Sequence, residues 1–298
     1  MEMLKKIDTR IECHKLDKCE IDLSFAIEQH SADKIVAYKK VDGAPIYLGY
    51  YLPNDFHQNR DYPLFFFIHG GGWESRKIFP EQKCWQGDYL GYLARYYANK
   101  GFIGVCIDYR LVREHGQTYN YGIIECYEDC CDALDYVIAQ AIEYGIDTKQ
   151  MFLLGESAGG HLAGALATFH YDRHYVFQKI FLVNPITNLD DEWKSRVPVD
   201  SYHPQLSKLA MEERAKFLSP LYQVQKGIGE IVLIHGKEDT TVNPMQSIMF
   251  YNKMLELGQK CELHLIENTK HAFLLAEYYR DGLEACNIAI KIINHRLD

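Results

Sequence analysis

Long apolar runs are missing from this 298-residue sequence. No stretch approaches the roughly 18 uninterrupted apolar residues that a membrane-spanning helix needs. Residues 1–8, MEMLKKID, also lack the apolar core of a secretory signal peptide. We therefore expect no membrane insertion and a cytoplasmic location.

Positive charge is scarce as well. The formal net charge is −9, and no run of five basic residues interrupts the acidic balance. This charge disfavours contact with nucleic acid and with anionic membrane surfaces. The 47% hydrophobic content is nevertheless sufficient for a large core.

Motifs for metals and for phosphate-bearing cofactors are absent. The nine cysteines include no C-x-x-C pair, and the sequence has neither a P-loop nor a G-x-G-x-x-G pattern. Cys126, Cys130 and Cys131 could suggest a metal site, but their helical spacing among apolar residues favours burial. We predict a reduced compartment and an activity that needs neither a metal nor an organic cofactor.

The most informative stretch that is present is Gly155–Gly160, GESAGG. It follows the apolar run Met151–Leu154 and precedes a helix-like segment, which is the setting of a nucleophile elbow. A serine on such a sharp turn needs small residues two positions away on either side. The pattern therefore makes Ser157 a candidate nucleophile, although a glycine-rich turn could also bind phosphate or have no chemical role.

Apolar strands alternate with helical patterns from residue 63 to the end, which predicts an α/β fold with a mostly parallel sheet covered by helices on both faces. A hairpin around Asp42-Gly43 brings the predicted strands to eight. Helices are expected at about 85–99, 122–144, 206–217, 244–257 and 274–295. Residues 1–33 have no clear role, residues 34–298 form the main domain, and the charged segment 187–225 is predicted to be a small cap insertion.

A serine nucleophile needs a base and an acid, and both candidates follow late strands. His271 lies after a short loop beyond the last strand and is preferred over His161, His235 and His264. Asp239 is the candidate acid, with the adjacent Glu238 as its rival. The alternative for Asp239 is a structural residue that opens a turn.

His69-Gly70-Gly71-Gly72 follows the strand over residues 63–68. Its backbone N–H groups have no side chains around them to obstruct a carbonyl oxygen, so the stretch is a candidate oxyanion hole. A flexible or phosphate-binding glycine loop is the alternative.

These two motifs together give a specific resemblance. The chain resembles the α/β-hydrolases, and among them the hormone-sensitive-lipase-like carboxylesterases, over residues 34–296. The resemblance implies an oxyanion hole from Gly71, Gly72 and Ala158, and structural support from residues 108–111, DYRL. The sequence departs from that family after DYRL, where VRE replaces APE, and it has no evident N-terminal cap helices.

Trp73 is shared with smaller esterases that act on acetylated or feruloylated plant polysaccharide, and it is a candidate substrate-binding residue; kynurenine formamidases are also similar here. We expect a serine carboxylesterase for short-chain acyl esters, such as acetylated carbohydrate or another small-molecule ester. The alternatives are an amidase, formamidase or peptidase using the same residues, and a non-catalytic binding module on the same fold. The oligomeric state is left open, with a homodimer as one option.

Overall fold

The computed structural model describes residues 11–16, 21, 23, 30–74, 90–114, 117–118, 121–169, 175–190, 209–271, 273–274 and 279–297. Within these ranges the strands are β1 (Ile11–His14), β2 (Lys34–Val41), β3 (Ala44–Tyr51), β4 (Tyr62–Ile68), β5 (Ile103–Ile107), β6 (Arg113–Glu114), β7 (Gln117–Thr118), β8 (Ile146–Glu156), β9 (Lys179–Val183), β10 (Glu230–Gly236) and β11 (Cys261–Ile266). The helices are α1 (Leu90–Ala98), α2 (Ile123–Ala139), α3 (Ala141–Tyr144), α4 (Ala158–Thr168), α5 (Met211–Phe217), α6 (Pro220–Gln223), α7 (Met245–Glu256) and α8 (Tyr279–Leu297).

A nine-stranded sheet organises the chain, with the spatial order β1-β11-β10-β9-β8-β4-β5-β3-β2. The strands from β1 to β5 in this order pair in parallel, and β3 and β2 complete the sheet as an antiparallel hairpin. The mostly parallel α/β architecture predicted from the sequence is thus confirmed.

The predicted number of eight strands is wrong, because β1 adds a ninth. Residues Ile11–His14 pair in parallel with β11, and the His14 carbonyl oxygen accepts a hydrogen bond from the Glu267 N–H at 2.9 Å. Four residues with only one strongly apolar side chain carry almost no local strand signal. The pairing with β11, some 250 residues away, is what makes this segment a strand.

Both faces of the sheet are buried, as the continuous apolar run of β4 predicts. Phe66 and Leu153 point into a core that includes side chains of α2, α4 and α7, whereas Phe65 and Leu154 point into a second core with α1 and α8. The alternation of neighbouring residues between the two cores follows the two-residue period of a strand. Cys126, Cys130 and Cys131 are buried within the first core, as expected from their spacing.

Most predicted helices are found with shifted ends. The helix expected over 122–144 is interrupted at Gln140, which separates α2 from α3. Residues 85–89, 206–208 and 275–278 of other predicted helices lie outside the described residues. Among the described residues, no helix is both long enough and apolar enough to cross a lipid bilayer.

The two ends of segment 187–225 lie side by side. The Leu221 N–H donates to the Thr187 carbonyl oxygen at 2.9 Å, and the Leu189 N–H donates to Ser219 Oγ at 2.8 Å. Residues 191–208 lie outside the described residues, so the predicted cap insertion stays a prediction. The adjacent ends allow the intervening residues to leave and rejoin the fold at one place.

Candidate active site

Ser157 stands at the turn between β8 and α4. Its backbone has φ 55° and ψ −120°, a combination that residues with a side chain rarely adopt. The Ser157 N–H donates to the Val183 carbonyl oxygen of β9 at 2.9 Å. The neighbouring strand therefore holds the turn in its strained conformation.

The glycines around Ser157 are required by close backbone contacts. A Cβ atom at Gly155 would lie 2.1 Å from the carbonyl oxygen of Gly159, and one at Gly159 would lie 2.1 Å from that of Ile68. Both distances are far below van der Waals contact. Only glycine at these two positions lets α4 begin this close to β8 and β4.

His271 reaches Ser157 from the loop after β11. The distance from His271 Nε2 to Ser157 Oγ is 2.9 Å, within hydrogen-bonding range. The loop is tied to the segment after β10, because the Glu238 N–H donates to the Thr269 carbonyl oxygen at 2.9 Å. The loops after β10 and β11 are thus joined next to His271.

Asp239 contacts the other nitrogen of His271. Its Oδ2 lies 2.5 Å from His271 Nδ1, while its Oδ1 accepts hydrogen bonds from the N–H groups of Thr241 and Val242 at 2.8 and 2.9 Å. Asp239 therefore opens a turn, as the structural alternative predicted, and also contacts His271. Of the two adjacent acids, Asp239 is buried and Glu238 is exposed.

The titration of the pair follows from these contacts. Burial alone would raise the pKa of Asp239, but hydrogen bonds from His235 and His271 hold that pKa well below its ordinary value. Burial alone would lower the pKa of His271, but the hydrogen bond to Asp239 and the charge of Glu156 raise it. An ionised carboxylate only accepts, so Nδ1 of His271 carries the proton and Nε2 is free to accept from Ser157.

Two further side chains lie at this site, and for neither was a role beside His271 or Asp239 predicted. Glu156 is buried with its Oε1 3.8 Å from His271 Nε2. His235 Nε2 lies 3.3 Å from Asp239 Oδ2. The only signal for them is position, since one precedes the elbow serine and the other ends β10 four residues before Asp239.

The other histidines considered as bases are placed elsewhere. His161 donates from Nε2 to the Leu218 carbonyl oxygen at 2.8 Å, and burial lowers its pKa to about 4. His264 lies on β11 with its Nδ1 2.9 Å from His14 Nε2. Of the four histidines considered, His271 is the one that contacts Ser157.

The glycine motif after β4 forms a tight loop beside the elbow. Gly71 and Gly72 have φ values of 100° and 64°, which glycine adopts without strain. Ala158 is the first residue of α4, and the first N–H groups of a helix have no acceptor within it. These three residues are the oxyanion-hole candidates, a role that stays a prediction.

The residues after β5 support this loop. Tyr109 Oη donates to the His69 carbonyl oxygen at 2.9 Å, and the two rings stack with centroids 4.4 Å apart. His69 Nε2 lies 3.2 Å from Asp108 Oδ1. Arg110 in turn binds Asp129 of α2 through Nε at 2.8 Å and Nη2 at 2.9 Å. Residues 108–111, DYRL, thus connect the glycine loop to α2 in the first core.

Trp73 follows the loop but turns its side chain inward. The residue is 1% exposed and has φ 59°, and its ring meets His161 edge-on at a centroid distance of 5.2 Å. A contact between this indole and a substrate stays a prediction. Packing against the helix that follows the elbow is its observed role.

The parallel sheet, the strained serine turn and the serine–histidine–aspartate contacts at strand ends are the defining features of an α/β-hydrolase. The chain belongs to the BD-FAE family, whose model matches residues 48–254.

Within the described residues, the one group of side chains able to share a metal ion lies on β1 and β11, and it includes none of Ser157, His271 and Asp239.

Several curated relatives are esterases by name, and others are named as dipeptidyl-aminopeptidases. The chain is 26% identical over 245 residues to a probable isoprenylcysteine alpha-carbonyl methylesterase of Oryza sativa subsp. japonica, covering 75% of this chain and 54% of that protein. It is also 26% identical over 241 residues to an esterase of Gibberella moniliformis, covering 74% of this chain and 70% of the relative. The chain spans about half the length of the plant methylesterases that it matches.

The fold matches that of a solved thermophilic esterase from Thermogutta terrifontis. The TM-score is 0.72 at 23% identity, with 90% of this chain and 92% of the other covered. That esterase has also been solved with propionate bound and with butyrate bound. The expected α/β-hydrolase fold is confirmed by this likeness.

Proposed function

We propose that this protein is a serine carboxylester hydrolase that cleaves short-chain acyl esters through an acyl-enzyme intermediate. The observation that carries the proposal is the unbroken line of contacts from Ser157 Oγ to His271 Nε2 at 2.9 Å and from His271 Nδ1 to Asp239 Oδ2 at 2.5 Å. A nucleophile, a base and an orienting acid in this order are the minimum set for acyl transfer by a serine.

In the acylation step, Ser157 Oγ attacks the ester carbonyl carbon while His271 Nε2 takes the hydroxyl proton. The carbonyl oxygen becomes an oxyanion, which accepts hydrogen bonds from the N–H groups of Gly71, Gly72 and Ala158. Collapse of this tetrahedral intermediate breaks the bond to the alcohol oxygen. His271 then gives its proton to the departing alcohol.

The deacylation step repeats the sequence with water. His271 Nε2 takes a proton from water as the water oxygen attacks the acyl carbon, and the second tetrahedral intermediate releases the acid and restores the Ser157 hydroxyl. Asp239 remains ionised throughout and stabilises the imidazolium that forms in each half. Every proton moves between these groups, so the cycle requires no cofactor.

The choice of esters over other acyl compounds rests on the relatives. Plant relatives are named as methylesterases and one fungal relative as an esterase, whereas two other fungal relatives are named as probable dipeptidyl-aminopeptidases and keep the peptidase alternative open. The solved structural neighbour holds propionate and butyrate, acids of short chain. The relatives support an ester as the substrate, and the short acyl group rests on the structural neighbour, because a methyl ester specifies only the alcohol half.

The cap belongs to this proposal as well. The segment 187–225 is charged, which suits a polar alcohol group better than the interface of a lipid droplet. Its paired ends, held by the Leu221–Thr187 hydrogen bond, support an insertion over the ends of the strands within a single catalytic domain of residues 34–298.

Covalent trapping tests the proposal most directly. Paraoxon should inactivate hydrolysis of p-nitrophenyl butyrate and add one phosphoryl group to the peptide that contains Ser157, as read by mass spectrometry. The Ser157→Ala variant should be neither active nor labelled. Faster turnover of p-nitroanilides or formanilides than of esters would instead indicate the amidase alternative, and an unlabelled, inactive wild-type protein would indicate a binding module.

A further inference from the structure

A cluster of three ligand-bearing side chains joins β1 to β11. Glu12 lies opposite His264 in the parallel register, and His14, two residues further on, shares the face of Glu12. His14 Nε2 lies 2.9 Å from His264 Nδ1, and Glu12 Oε2 lies 3.7 Å and 3.5 Å from these two nitrogens. Two imidazole nitrogens and a carboxylate oxygen therefore converge on one point.

The outer contacts of His264 fix which of its nitrogens faces that point. Its Nε2 lies 3.2 Å from Glu262 Oε2, and Arg296 Nε donates to the same oxygen at 2.6 Å. A carboxylate held by an arginine accepts the Nε2 proton of His264, so the Nδ1 lone pair points at His14. A histidine whose outer nitrogen is bound by a carboxylate is the arrangement that orients ligands in metal centres.

We propose that Glu12, His14 and His264 form a binding site for a divalent transition-metal ion of the zinc class. Zinc–nitrogen bonds are about 2.0–2.1 Å long, and tetrahedral geometry then places two ligand nitrogens roughly 3.3 Å apart. His14 needs to move away from His264 by only about 0.4 Å to reach this separation, and the Glu12 carboxylate, at 3.5 and 3.7 Å from the two nitrogens, needs to approach by about 0.2–0.4 Å. The proton on His14 Nε2 moves to Nδ1 as the metal takes its place.

The donor set determines the class of ion. Two imidazoles with one carboxylate suit zinc, cobalt, nickel and copper, whereas magnesium and calcium prefer oxygen donors. The fourth position opens into a cleft of about 710 Å³ between β1, β11 and α8, from which water can complete the coordination. Lys291 and Arg296 also line this cleft, where Glu12 carries the opposite charge and Arg296 is paired with Glu262.

The site gives β1 an attachment beyond its backbone pairing. β1 has only four residues and lies at the border of the sheet, so one metal bond network across β1 and β11 would contribute a large share of its stability. Glu262 already orients His264 on β11. Metal binding therefore needs to order only the side chains of His14 and Glu12.

Calorimetric titration of the chelator-treated 298-residue protein with zinc chloride tests the proposal. The wild-type protein should bind one zinc ion, show visible absorption bands of tetrahedral cobalt when cobalt chloride is added, and melt at a higher temperature with zinc than without. His14→Gln and Glu12→Gln should each weaken binding by at least about tenfold and lose the zinc-dependent rise in melting temperature.

Two controls separate this site from other histidines. His295→Gln removes a histidine at the rim of the same cleft, and His271→Ala removes the histidine that contacts Ser157; both should keep one-to-one zinc binding. Glu12→Gln changes an exposed side chain, so it provides a folded test if a histidine variant fails to fold. Absence of one-to-one binding in the wild type, binding undiminished in His14→Gln, or binding lost in His271→Ala would each overturn the proposal.

Discussion

His235 lies behind Asp239, with its Nε2 3.3 Å from the same carboxylate oxygen that contacts His271. The His235 Nε2 proton is also directed at the Val242 carbonyl oxygen at 3.0 Å, and Nδ1 lies 2.7 Å from Ser247 Oγ, which donates to it. The Asp239 carboxylate is therefore held between two imidazoles, one facing the serine and one facing the core. His235 therefore fixes the orientation of the Asp239 carboxylate towards His271.

His235→Phe should lower kcat without removing any group that touches the substrate. Loss of a hydrogen bond to a charged group costs about 1.5–3 kcal/mol, which corresponds to roughly a tenfold to hundredfold fall in kcat if all of it appears in the transition state. Steady-state kinetics at a temperature where the variant stays folded checks this. A fall in stability with kcat unchanged would show that His235 serves only the fold.

Asp239→Asn and Glu238→Gln form a matched pair of neighbouring charge removals. Because Asp239 contacts His271 and Glu238 is exposed, the first should lower kcat by about 10⁴-fold and the second should change it less than twofold. Kinetics with p-nitrophenyl butyrate measures both. The reverse ranking would assign the acid to Glu238.

Ser157→Ala and Ser157→Gly should both abolish hydrolysis, with a loss in kcat of at least about 10⁴-fold. They should differ in stability, because alanine keeps the strain of φ 55° and glycine relieves it. Relief of about 1–3 kcal/mol exceeds the entropic cost of glycine, about 0.5–1 kcal/mol, so Ser157→Gly should unfold at higher urea concentration than Ser157→Ala. Equal midpoints would mean that the turn stores no strain, and retention of a tenth of wild-type activity in either variant would exclude Ser157 as the nucleophile.

Glu156→Gln should shift the pH profile of kcat/KM towards lower pH. The negative charge of Glu156 raises the pKa of His271, and only the neutral imidazole can act as the base. Activity is therefore lost as pH falls through this pKa, and removing the charge moves the acidic limb to lower pH. Glu256→Gln, an equal charge change on the exposed surface of α7, should leave the limb in place. An unshifted profile in Glu156→Gln would contradict the electrostatic contact.

Acyl-chain preference is expected to peak at acetyl to butyryl esters. The polar segment 187–225, Trp73 next to the glycine loop and the 22 tyrosines of the chain favour a narrow acyl pocket with polar surroundings. In an open apolar tunnel, each methylene would add about 0.8 kcal/mol, or roughly fourfold in kcat/KM. A p-nitrophenyl series measures the trend, and a maximum at octanoyl or longer would contradict the prediction.

The parts of the fold that the sequence predicts well are those with a local cause. The apolar run of β4 reflects burial on both faces of the sheet, and the spacing of Gly155 and Gly159 reflects the tight turn between β8 and α4. The strand-ending positions of Asp239 and His271 could be placed because parallel strands bring their carboxyl ends to one edge. The sequence also indicated burial of the cysteines of α2.

The parts that escaped prediction depend on distant partners. β1 is a strand only because β11 pairs with it, and its residues have no periodicity of their own. The prediction prefers Asp239 over Glu238, but the physical basis of that preference, the side chain that the loop turns inward, is seen only in the structure. Likewise, the elbow motif alone indicates no role for Glu156, whereas its contact with His271 joins segments 115 residues apart in the chain.

The two borders of the sheet are protected in different ways. At one border, β2 carries Lys34, Lys39 and Lys40, and charged side chains on an edge strand discourage other chains from pairing with it. At the other border, the four-residue strand β1 is outermost and covers the open side of β11, a mostly apolar strand. A variant shortened by its first 16 residues would expose the backbone donors and acceptors of β11 to any strand in solution. The short N-terminal strand therefore protects against aggregation as well as completing the fold.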